Sequence, residues 1–280
     1  MKIAFIVLTY NRPDTLLQVL RGLAAQCGTD HEVIIADDGS TSSCVDAICK
    51  TLPHFNCPVQ HVWHPDKGFT IARARNLAAA CSKSDYFVFM DGDCIPNPRF
   101  VAAHTSLSEP GYFVNGSRVL LSERLTQEVL QNRVDIRNAS GIDWLKWRLS
   151  GDSNKLIHLL RWPDPLFRKE KLFRWKKIRG CNLAVWRDDY WMVNGFDESF
   201  KGWGHEDADF VLRLHNAGVL RKNGFCASEV FHLWHKEASR SDELSNRQIV
   251  TERLRTGLVR ALQGVDDALV ADDVRVTRLN

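Results

Sequence analysis

The first hundred residues alternate short apolar runs with amphipathic segments, and this alternation restricts the chain to one main class of fold. Four runs are short, rich in β-branched or aromatic residues and bounded by turn-forming residues, as expected of buried strands. They are Ile3–Leu8, Val33–Ala36, Val59–Trp63 and Tyr86–Met90. Helical patterns lie between them at Pro13–Ala25, Ser43–Thr51 and Ile71–Cys81. This order predicts an α/β fold with a mostly parallel central sheet that helices cover on both faces.

Composition and cysteine spacing exclude several other classes of protein. The 280 residues are 44% hydrophobic and 25% charged, which is ordinary for a globular protein and excludes a disordered or fibrous chain. No apolar run approaches the roughly 20 residues of a membrane span, and Met1-Lys2 leads into the first strand-like run without the features of a secretory signal. Eight cysteines without a C-x-x-C pair then predict reduced thiols in a cytoplasmic protein, not a disulfide scaffold or a zinc finger.

The pattern becomes looser after Gly116, and we divide the chain there. The first half, 1–116, holds the alternation; 117–265 forms a second half, and the tail 266–280 has no predicted role in the core. Further elements are expected after the division. They are a helical stretch over Glu123–Arg148, a strand at Cys181–Trp186, a helix at Asp207–Asn216 ending at Gly218, and a helical pattern over Ser245–Leu262.

Acidic residues follow two of the predicted strands. Asp37 and Asp38 end the second strand, and Asp91-Gly92-Asp93 ends the fourth. In open parallel sheets, ligands bind beyond the carboxyl ends of the strands. Two carboxylates at such an end suit Mg²⁺ or Mn²⁺ held against a pyrophosphate. Acidic residues are also common in turns that bind no metal, so the motif alone leaves both interpretations open.

Several motifs occur in the order and spacing of a known family. They are Val7-Leu8-Thr9-Tyr10-Asn11-Arg12, Val33–Ser40, Arg73-Ala74-Arg75-Asn76, Phe89–Asp93, Gly195–Glu198, Gly202–Asp209 and Phe231–His235. In these motifs the sequence resembles the family-2 glycosyltransferases of the GT-A fold, and its later motifs resemble the galactosyltransferase-like branch. The resemblance covers about Lys2–Pro98 and Arg179–Lys236 and implies a Rossmann-like αβα sandwich of GT-A type. His205 is a departure, because related enzymes often carry Gly there.

The resemblance implies a nucleotide-sugar pocket in the first half. Its implied residues are Thr9, Tyr10, Arg12, Asp37, Asp38, Phe69, Arg73, Arg75, Asp91 and Gly92. Asp38, with Asp37, would accept the imide hydrogen of a uracil; the alternative role of the pair is an Asx turn or a helix cap. Arg73 and Arg75 open the third helix, where the helix dipole disfavours cations. Their position favours a diphosphate nearby over a solvated basic face.

Catalysis, metal binding and acceptor binding are implied for the second half. Glu206 and Asp207 would be the catalytic carboxylates, and Asp207 would be the base that takes the acceptor's proton. The alternative is that both belong to an acidic first helical turn that complements the helix dipole. The implied metal ligands are Asp91, Asp93, His232 and His235, and imidazole favours Mn²⁺ over Mg²⁺. The implied acceptor-binding residues are Trp203, Gly204, Asn182 and Asp197.

The stretch from Trp144 to Arg179 is unusually basic and rich in tryptophan. It contains eleven Lys or Arg against three Asp or Glu, a net charge of +8, so the rest of the chain carries −5. It also contains Trp144, Trp147, Trp162 and Trp175. The tryptophans are either core residues beneath a solvated charged face or part of an element that lies on an anionic membrane. No nucleic-acid-binding motif accompanies the charge.

These observations predict a metal-dependent inverting glycosyltransferase. Its donor would be a nucleotide-diphospho-sugar, UDP-linked, and its acceptor a saccharide or lipid-linked saccharide in surface-glycan synthesis, of lipopolysaccharide or capsule type, at the inner face of a membrane. A nucleotidyltransferase that forms sugar nucleotides is disfavoured because no Gly-rich phosphate loop follows the first strand. A metal hydrolase built on His232 and His235 remains a rival, and an inactive glycan-binding protein has no need of Asp91, Asp93 and Asp207.

Overall fold

The computed structural model describes residues 1–160, 162, 167–175, 178–236 and 242–280. Its strands are β1 (Ile3–Thr9), β2 (His31–Asp37), β3 (Val59–Trp63), β4 (Tyr86–Asp91), β5 (Cys94–Pro96), β6 (Tyr112–Asn115), β7 (Ser117–Leu120), β8 (Lys169–Glu170), β9 (Asn182–Trp186), β10 (Leu220–Asn223), β11 (Glu229–His232) and β12 (Arg275–Arg278). Its helices are α1 (Pro13–Ala24), α2 (Ser42–Thr51), α3 (Ile71–Ala80), α4 (Phe100–Leu107), α5 (Glu123–Leu130), α6 (Gly141–Leu149), α7 (Arg187–Met192), α8 (Glu206–Asn216), α9 (Glu243–Thr256) and α10 (Val265–Ala268), with a 3-10 turn at Ile157–Leu159.

The central sheet has the strand order β12-β3-β2-β1-β4-β9-β6-β10-β8. β1 pairs in parallel with β2 and with β4, and β2 pairs in parallel with β3. β9 runs antiparallel between β4 and β6, and β6 and β10 are again parallel to each other. The expected α/β fold with a mostly parallel sheet is therefore confirmed, with antiparallel strands at both edges and at β9.

Both faces of the sheet are buried, which explains the continuous apolar runs of the central strands. Phe5 of β1 contributes to the core cluster on one face, and Ile6 contributes to the cluster on the other. Helix α1 begins with Pro13, where a missing N–H costs nothing, and buries Leu20 against the first face. Helix α3 packs on the second face, where small side chains such as Ala78 let it approach the strands closely.

A second, smaller sheet lies beside the carboxyl end of β4. Its strand order is β5-β11-β7, with β11 antiparallel to β5 and parallel to β7. His232, the last residue of β11, pairs with Cys94, the first residue of β5. Because β5 begins just after the Asp91-Gly92-Asp93 segment, this pairing brings the end of β11 beside the D-x-D motif.

One of the expected helices is wrong. The stretch Glu123–Arg148 is not one helix, because α5 ends at Leu130 and α6 begins only at Gly141. Asn132 adopts a left-handed backbone with φ 57°, and Ser140 and Asp143 form a capping box that starts the next helix. The last helix ends at Thr256, short of the expected Leu262, because Gly257 takes a left-handed φ of 66°.

The expectation that the tail lacks a role in the core is also wrong. β12 pairs antiparallel with β3 and closes that edge of the central sheet. Asn280 accepts a hydrogen bond from the Val59 N–H and donates one to the Cys57 carbonyl. A pattern as short as Arg275–Arg278, exposed along its length, gives no apolar signal from which a strand could be predicted.

The tryptophans of the basic stretch differ in how deeply they are buried. Trp144 is buried against Phe231, with ring centroids 4.8 Å apart, and Trp147 packs against the same core cluster. Trp162 is 48% exposed. Part of the stretch therefore serves the core, and the basic residues Arg161, Lys176 and Lys177 lie outside the described residues.

Two further findings concern the whole molecule. All eight cysteines are free thiols, as the absence of paired spacing predicts. Among the described helices, none combines the length and apolar character that a membrane span requires.

Candidate active site

The D-x-D motif is fixed to the end of the neighbouring strand. The Gly92 N–H donates to the Leu8 carbonyl at 2.7 Å, immediately after β4 ends at Asp91. A Cβ atom at position 92 would lie 2.7 Å from that same carbonyl oxygen, closer than such contacts allow. Glycine is therefore required between the two aspartates, because only it lets the turn pass so close to β1.

Two histidines converge on the second aspartate of the motif. The His235 Nε2 lies 3.2 Å from one carboxylate oxygen of Asp93, and the His232 Nε2 lies 3.9 Å from the other. The pairing of β11 with β5 positions them, and the Leu233 N–H donates to the Asp93 carbonyl at 2.9 Å. Burial lowers the pKa of His232, although Asp93 opposes the shift. The imidazole of His232 is therefore neutral at pH 7, the form that binds metals.

This cluster fits a divalent metal. The ligand atoms of Asp93, His232 and the adjacent Cys94 all lie within 4.8 Å of one another. Burial raises the pKa of the Asp91 carboxyl, with Arg75 opposing the shift and Asp93 adding to it, so the two aspartates lie within electrostatic reach of each other. Carboxylate and imidazole donors together suit Mn²⁺ better than Mg²⁺. Cys94, which sequence reasoning did not include, donates its S–H to Asp93 at 3.4 Å.

Arg75 joins the D-x-D motif to the acidic pair of α8. Its Nη2 lies 3.1 Å from the Asp91 carboxylate, and its Nη1 lies 3.2 Å from Glu206. The guanidinium also lies over the ring of Phe196, 5.0 Å from the centroid, and the side chain is almost fully buried. Arg75 was expected to contact the diphosphate; in this structure its partners are two carboxylates, and it acts as a junction inside the site.

Glu206 and Asp207 begin α8 at the edge of this junction. Burial, then the neighbouring Asp207, raises the pKa of Glu206 to about 7, while Arg75 opposes the shift. Asp207 accepts a hydrogen bond from the Gly180 N–H at 2.9 Å. The preceding residue, His205, has a left-handed φ of 71°, a backbone conformation in which glycine is less strained than histidine.

The expected uracil-binding aspartates are both buried and bonded to protein groups. Asp37 accepts a hydrogen bond from the Ser40 N–H at 2.7 Å and pairs with His61 at 2.8 Å. Asp38 accepts from the N–H and hydroxyl of Thr70, and His64 lies 3.2 Å away. The contact from Ser40 is the Asx-type turn that was the alternative for Asp37. Both carboxylates are therefore bonded to neighbouring protein groups in this structure, and their expected contact with a uracil stays a prediction.

Of three other residues in the expected nucleotide pocket, two are exposed and one is buried. Tyr10 is 46% exposed, and its hydroxyl donates to Asp66 at 2.9 Å. Phe69 is also exposed, and the hydroxyl of Thr9 is buried without a hydrogen-bond partner in the described residues. Asp66 lies in no motif, and the sequence analysis did not identify it. It packs directly against Gly39, whose backbone has a left-handed φ of 96°.

Both remaining arginines of the expected pocket bind acidic side chains. Arg12 lies 3.2 Å from Asp14 at the start of α1. Arg73 lies 2.6 Å from Asp273, in the tail, and 3.6 Å from Glu198. The tail thus supplies a counter-charge to Arg73 in this structure, and its expected contact with a diphosphate stays a prediction.

Two of the expected acceptor-binding residues are fully buried, and their expected role in acceptor binding stays a prediction. Asn182 is fully buried; its amide donates to the Ser117 and Ser228 carbonyls and its oxygen contacts His104. Asp197 is also fully buried, and it accepts from the Ser199 N–H and pairs with Arg253 at 2.8 Å. Polar residue type alone did not distinguish a buried structural group from a ligand-binding one.

The remaining acceptor candidates lie on a loop that α9 holds in place. Trp203 is 36% exposed, and Gly204 has a left-handed φ of 104°. The buried amide of Asn246 donates to the Lys201 carbonyl at 2.9 Å and to the Gly204 carbonyl at 3.0 Å. No motif marks Asn246, so no sequence pattern indicated that α9 supports this loop.

Comparison with known proteins agrees with this arrangement. The family model described as glycosyl transferase family 2 matches residues 4–170, more than half of the chain. The chain belongs to glycosyl transferase family 2. A second model, described as the N-terminal domain of galactosyltransferase, matches residues 168–236 and so includes Glu206, Asp207, His232 and His235.

Individual relatives in this family are distant. Validoxylamine A glucosyltransferase of Streptomyces hygroscopicus subsp. jinggangensis is 28% identical over 231 residues, which cover 78% of this chain and 52% of the relative. Chondroitin synthase of Escherichia coli is 24% identical over 266 residues, 88% of this chain and 36% of the relative. The chain thus spans about half or less of the length of these curated relatives.

Solved structures confirm the GT-A type of fold. A crystal structure of S. aureus TarS in complex with UDP-GlcNAc has a TM-score of 0.55 at 16% identity and covers 96% of this chain and 70% of its own. The mannosyltransferase PcManGT from Pyrobaculum calidifontis, in complex with GDP-Man and Mn²⁺, has a TM-score of 0.56 at 16% identity, covering 96% of this chain and 72% of its own.

Proposed function

We propose that this chain is a metal-dependent glycosyltransferase that moves a sugar from a nucleotide-diphospho-sugar to an acceptor hydroxyl with inversion. The observation that carries the proposal is the continuous cluster from His232, His235 and Asp93, through Asp91 and Arg75, to Glu206 and the adjacent Asp207. It places metal-binding groups next to a pair of carboxylates. Transfer from a diphospho-sugar needs both.

The metal ligands proposed are Asp93, His232 and His235, with Asp91 beside them. A divalent ion bound there would neutralise the charge of the leaving diphosphate. The mixed oxygen and nitrogen donors favour Mn²⁺. The mannosyltransferase PcManGT, which has a similar fold, was solved with GDP-Man and Mn²⁺ together, and this supports the choice of ion.

Asp207 is the proposed base. In a single displacement, the acceptor oxygen attacks the anomeric carbon, the bond from that carbon to the diphosphate oxygen breaks, and the acceptor's proton passes to the base. The Asp207 carboxylate lies at the first turn of α8 beside Gly180. Glu206, with a pKa raised to about 7 and bonded to Arg75, is half protonated at neutral pH and is the weaker candidate.

The donor proposed is UDP-linked, and the acceptor is a saccharide or lipid-linked saccharide. The TarS complex contains UDP-GlcNAc, and the relatives named chondroitin and hyaluronan synthases support a polysaccharide acceptor. Synthesis of a surface glycan of lipopolysaccharide or capsule type, at the cytoplasmic face of a membrane, is the setting we propose. Tyr10 and Phe69, both exposed, offer aromatic faces for the base or the sugar.

Incubation with Mn²⁺ and a panel of sugar nucleotides tests the proposal. We expect release of a nucleoside diphosphate that rises when acceptor saccharides are added. Release of inorganic pyrophosphate, or its consumption, would instead indicate a nucleotidyltransferase, and cleavage of substrates without any nucleotide would indicate a metal hydrolase.

The variant Asp93→Asn separates metal binding from donor binding. It should abolish turnover and weaken UDP binding measured with Mn²⁺, while metal-free UDP binding stays nearly unchanged. Asp188→Asn, at an exposed position of α7, is the matched control and should behave as the unmodified protein. An equal loss of UDP affinity with and without metal would contradict the metal assignment.

A further inference from the structure

Exposed apolar side chains are concentrated in one stretch of the chain. Eight of the 22 large apolar side chains that are exposed in the described residues lie between positions 142 and 172, about a tenth of the chain. Scattered single apolar residues are normal on a protein surface, whereas a concentration of them marks an interaction site. This stretch is therefore a candidate interaction site.

Helix α6 presents the most regular part of the region. Ile142, Leu145 and Leu149 are 67%, 49% and 79% exposed and recur at intervals of three and four residues, so they form one apolar stripe along the helix. Trp144 lies on the opposite face and packs against Phe231. The inner face of α6 is thus already used by the core, and the stripe is a second apolar face that water covers.

The charges around the stripe are basic. Lys146 and Arg148 are exposed on the same helix, and Lys171, 22 residues after Leu149 along the chain, is also exposed. The nearby carboxylate of Asp143 is bonded to Ser140 in the capping box of α6. The stretch from 144 to 179 carries +8 in a chain whose remainder carries −5.

We propose that the apolar stripe and its neighbouring cations bind the surface of an anionic lipid bilayer. Such a surface binds apolar side chains that are flanked by Lys and Arg. The apolar side chains insert among the acyl chains, and the cations bind the lipid phosphates. A second copy of the chain fits less well, because a symmetric contact through the stripe would bring two like-charged sets together.

The position of the stripe connects it to the active site. Trp144 contacts Phe231, the residue before the proposed metal ligand His232, so only the thickness of α6, about 10 Å, separates the stripe from β11. This inference rests on the proposed transferase function: the bilayer would hold the active site close to lipid-linked acceptors. Such an arrangement restricts acceptors to those at the membrane surface.

Co-sedimentation with vesicles tests the proposal. We expect binding to phosphatidylcholine vesicles that contain phosphatidylglycerol, weakened by salt, and no binding to pure phosphatidylcholine. Each cation removed near an anionic surface costs about fivefold in partition, so Lys146→Gln, Arg148→Gln and Lys171→Gln together should reduce binding by about a hundredfold. Leu145→Ser with Leu149→Ser should reduce it by at least about tenfold, because two buried leucines are lost.

Matched variants elsewhere on the surface control for charge and apolarity. Lys50→Gln, Lys83→Gln and Arg255→Gln remove three exposed cations, and Leu244→Ser with Leu262→Ser removes two exposed leucines. Both control sets should leave vesicle binding unchanged. The stripe variants should keep the thermal midpoint and Mn²⁺-dependent UDP binding of the unmodified protein, since their side chains are exposed; a loss of UDP binding throughout would instead contradict the proposed function.

Three results would overturn the inference. The first is equal binding to neutral and anionic vesicles. The second is loss of binding by the control variants to the same extent as by the stripe variants. The third is a protein that binds no vesicles, is dimeric in sedimentation and becomes monomeric on Leu145→Ser with Leu149→Ser. The last result would identify the stripe as an interface between copies of the chain.

Discussion

Glu206 is a buried carboxyl whose ionisation should be visible in the stability of the folded protein. Burial and Asp207 raise its pKa to about 7, although Arg75 is bonded to it. In an unfolded chain a glutamate has a pKa of about 4.3 to 4.5. The folded protein therefore holds this proton more tightly than the unfolded chain does, and stability should fall as pH rises between the two values.

The size of the effect follows from the two pKa values. A carboxyl that titrates at about 4.5 when unfolded and at about 7 when folded gives its full stabilisation below pH 4.5. Between pH 5 and pH 8 the free energy of unfolding should decrease by roughly 2 to 3 kcal/mol from this group alone. In Glu206→Gln the amide keeps the shape and can accept from Arg75, but it does not titrate, so this decrease should disappear.

Urea unfolding measured at several pH values from 5 to 8, with a chelator present, tests the argument. The difference in unfolding free energy between Glu206→Gln and the unmodified protein should grow by roughly 2 to 3 kcal/mol toward pH 8, in favour of the variant. Glu252→Gln, on the exposed face of α9, is the control and should give a constant difference. Profiles of Glu206→Gln and the unmodified protein that stay parallel within about 0.5 kcal/mol would refute the reasoning.

Three further predictions concern other parts of the site. Asp207→Asn should leave donor affinity intact and lower the transfer rate by about 10² to 10⁴, measured as nucleotide release with acceptor; transfer near the normal rate would assign the role of base to Glu206. Asn246→Ala removes two hydrogen bonds to the Trp203 loop, worth about 2 kcal/mol, and should raise the acceptor KM more than it changes UDP binding by titration. Deletion of residues 275–280 uncovers the edge of β3, and light scattering should then show aggregation below the normal thermal midpoint.

The first half of the fold was predictable because its strands are buried on both faces. The runs around Phe5, Ile34 and Phe89 are apolar throughout, and each strand starts and ends within two residues of the predicted positions. Helices with one apolar face, such as α1, were equally clear. These elements depend on local burial, which a sequence pattern expresses directly.

The second half was less predictable because its elements depend on tertiary contacts. β12 is exposed and forms only because β3 offers an open edge, and the break between α5 and α6 depends on the backbone at Asn132 and the cap at Ser140. Neither feature changes the apolar spacing that suggested one long helix. Local patterns cannot report a partner that lies far along the chain.

Motifs predicted which segments meet at the site but not the role of each side chain. Asp93, His232 and His235 come together as expected, because the pairing of two strands brings them close. Asp37 and Asp197 lie in equally convincing motifs, yet both are fully buried and bonded to protein groups. A carboxylate within a motif can bind a ligand or hold the loop that does so, and the motif alone does not distinguish the two.

Arg75 illustrates why the distinction matters for the chemistry. An arginine that binds a diphosphate changes its interaction partner during turnover, whereas a buried arginine bonded to Asp91 and Glu206 keeps its partners within the protein. Its charge then acts on both carboxylates at once, because it opposes the rise in pKa that burial causes at Glu206 and at Asp91. The metal-binding motif and the acidic pair, which are 115 residues apart from Asp91 to Glu206, are therefore coupled through a single guanidinium. Removal of either carboxylate should therefore change the interactions of the other, because the Arg75 guanidinium would move toward the charge that remains.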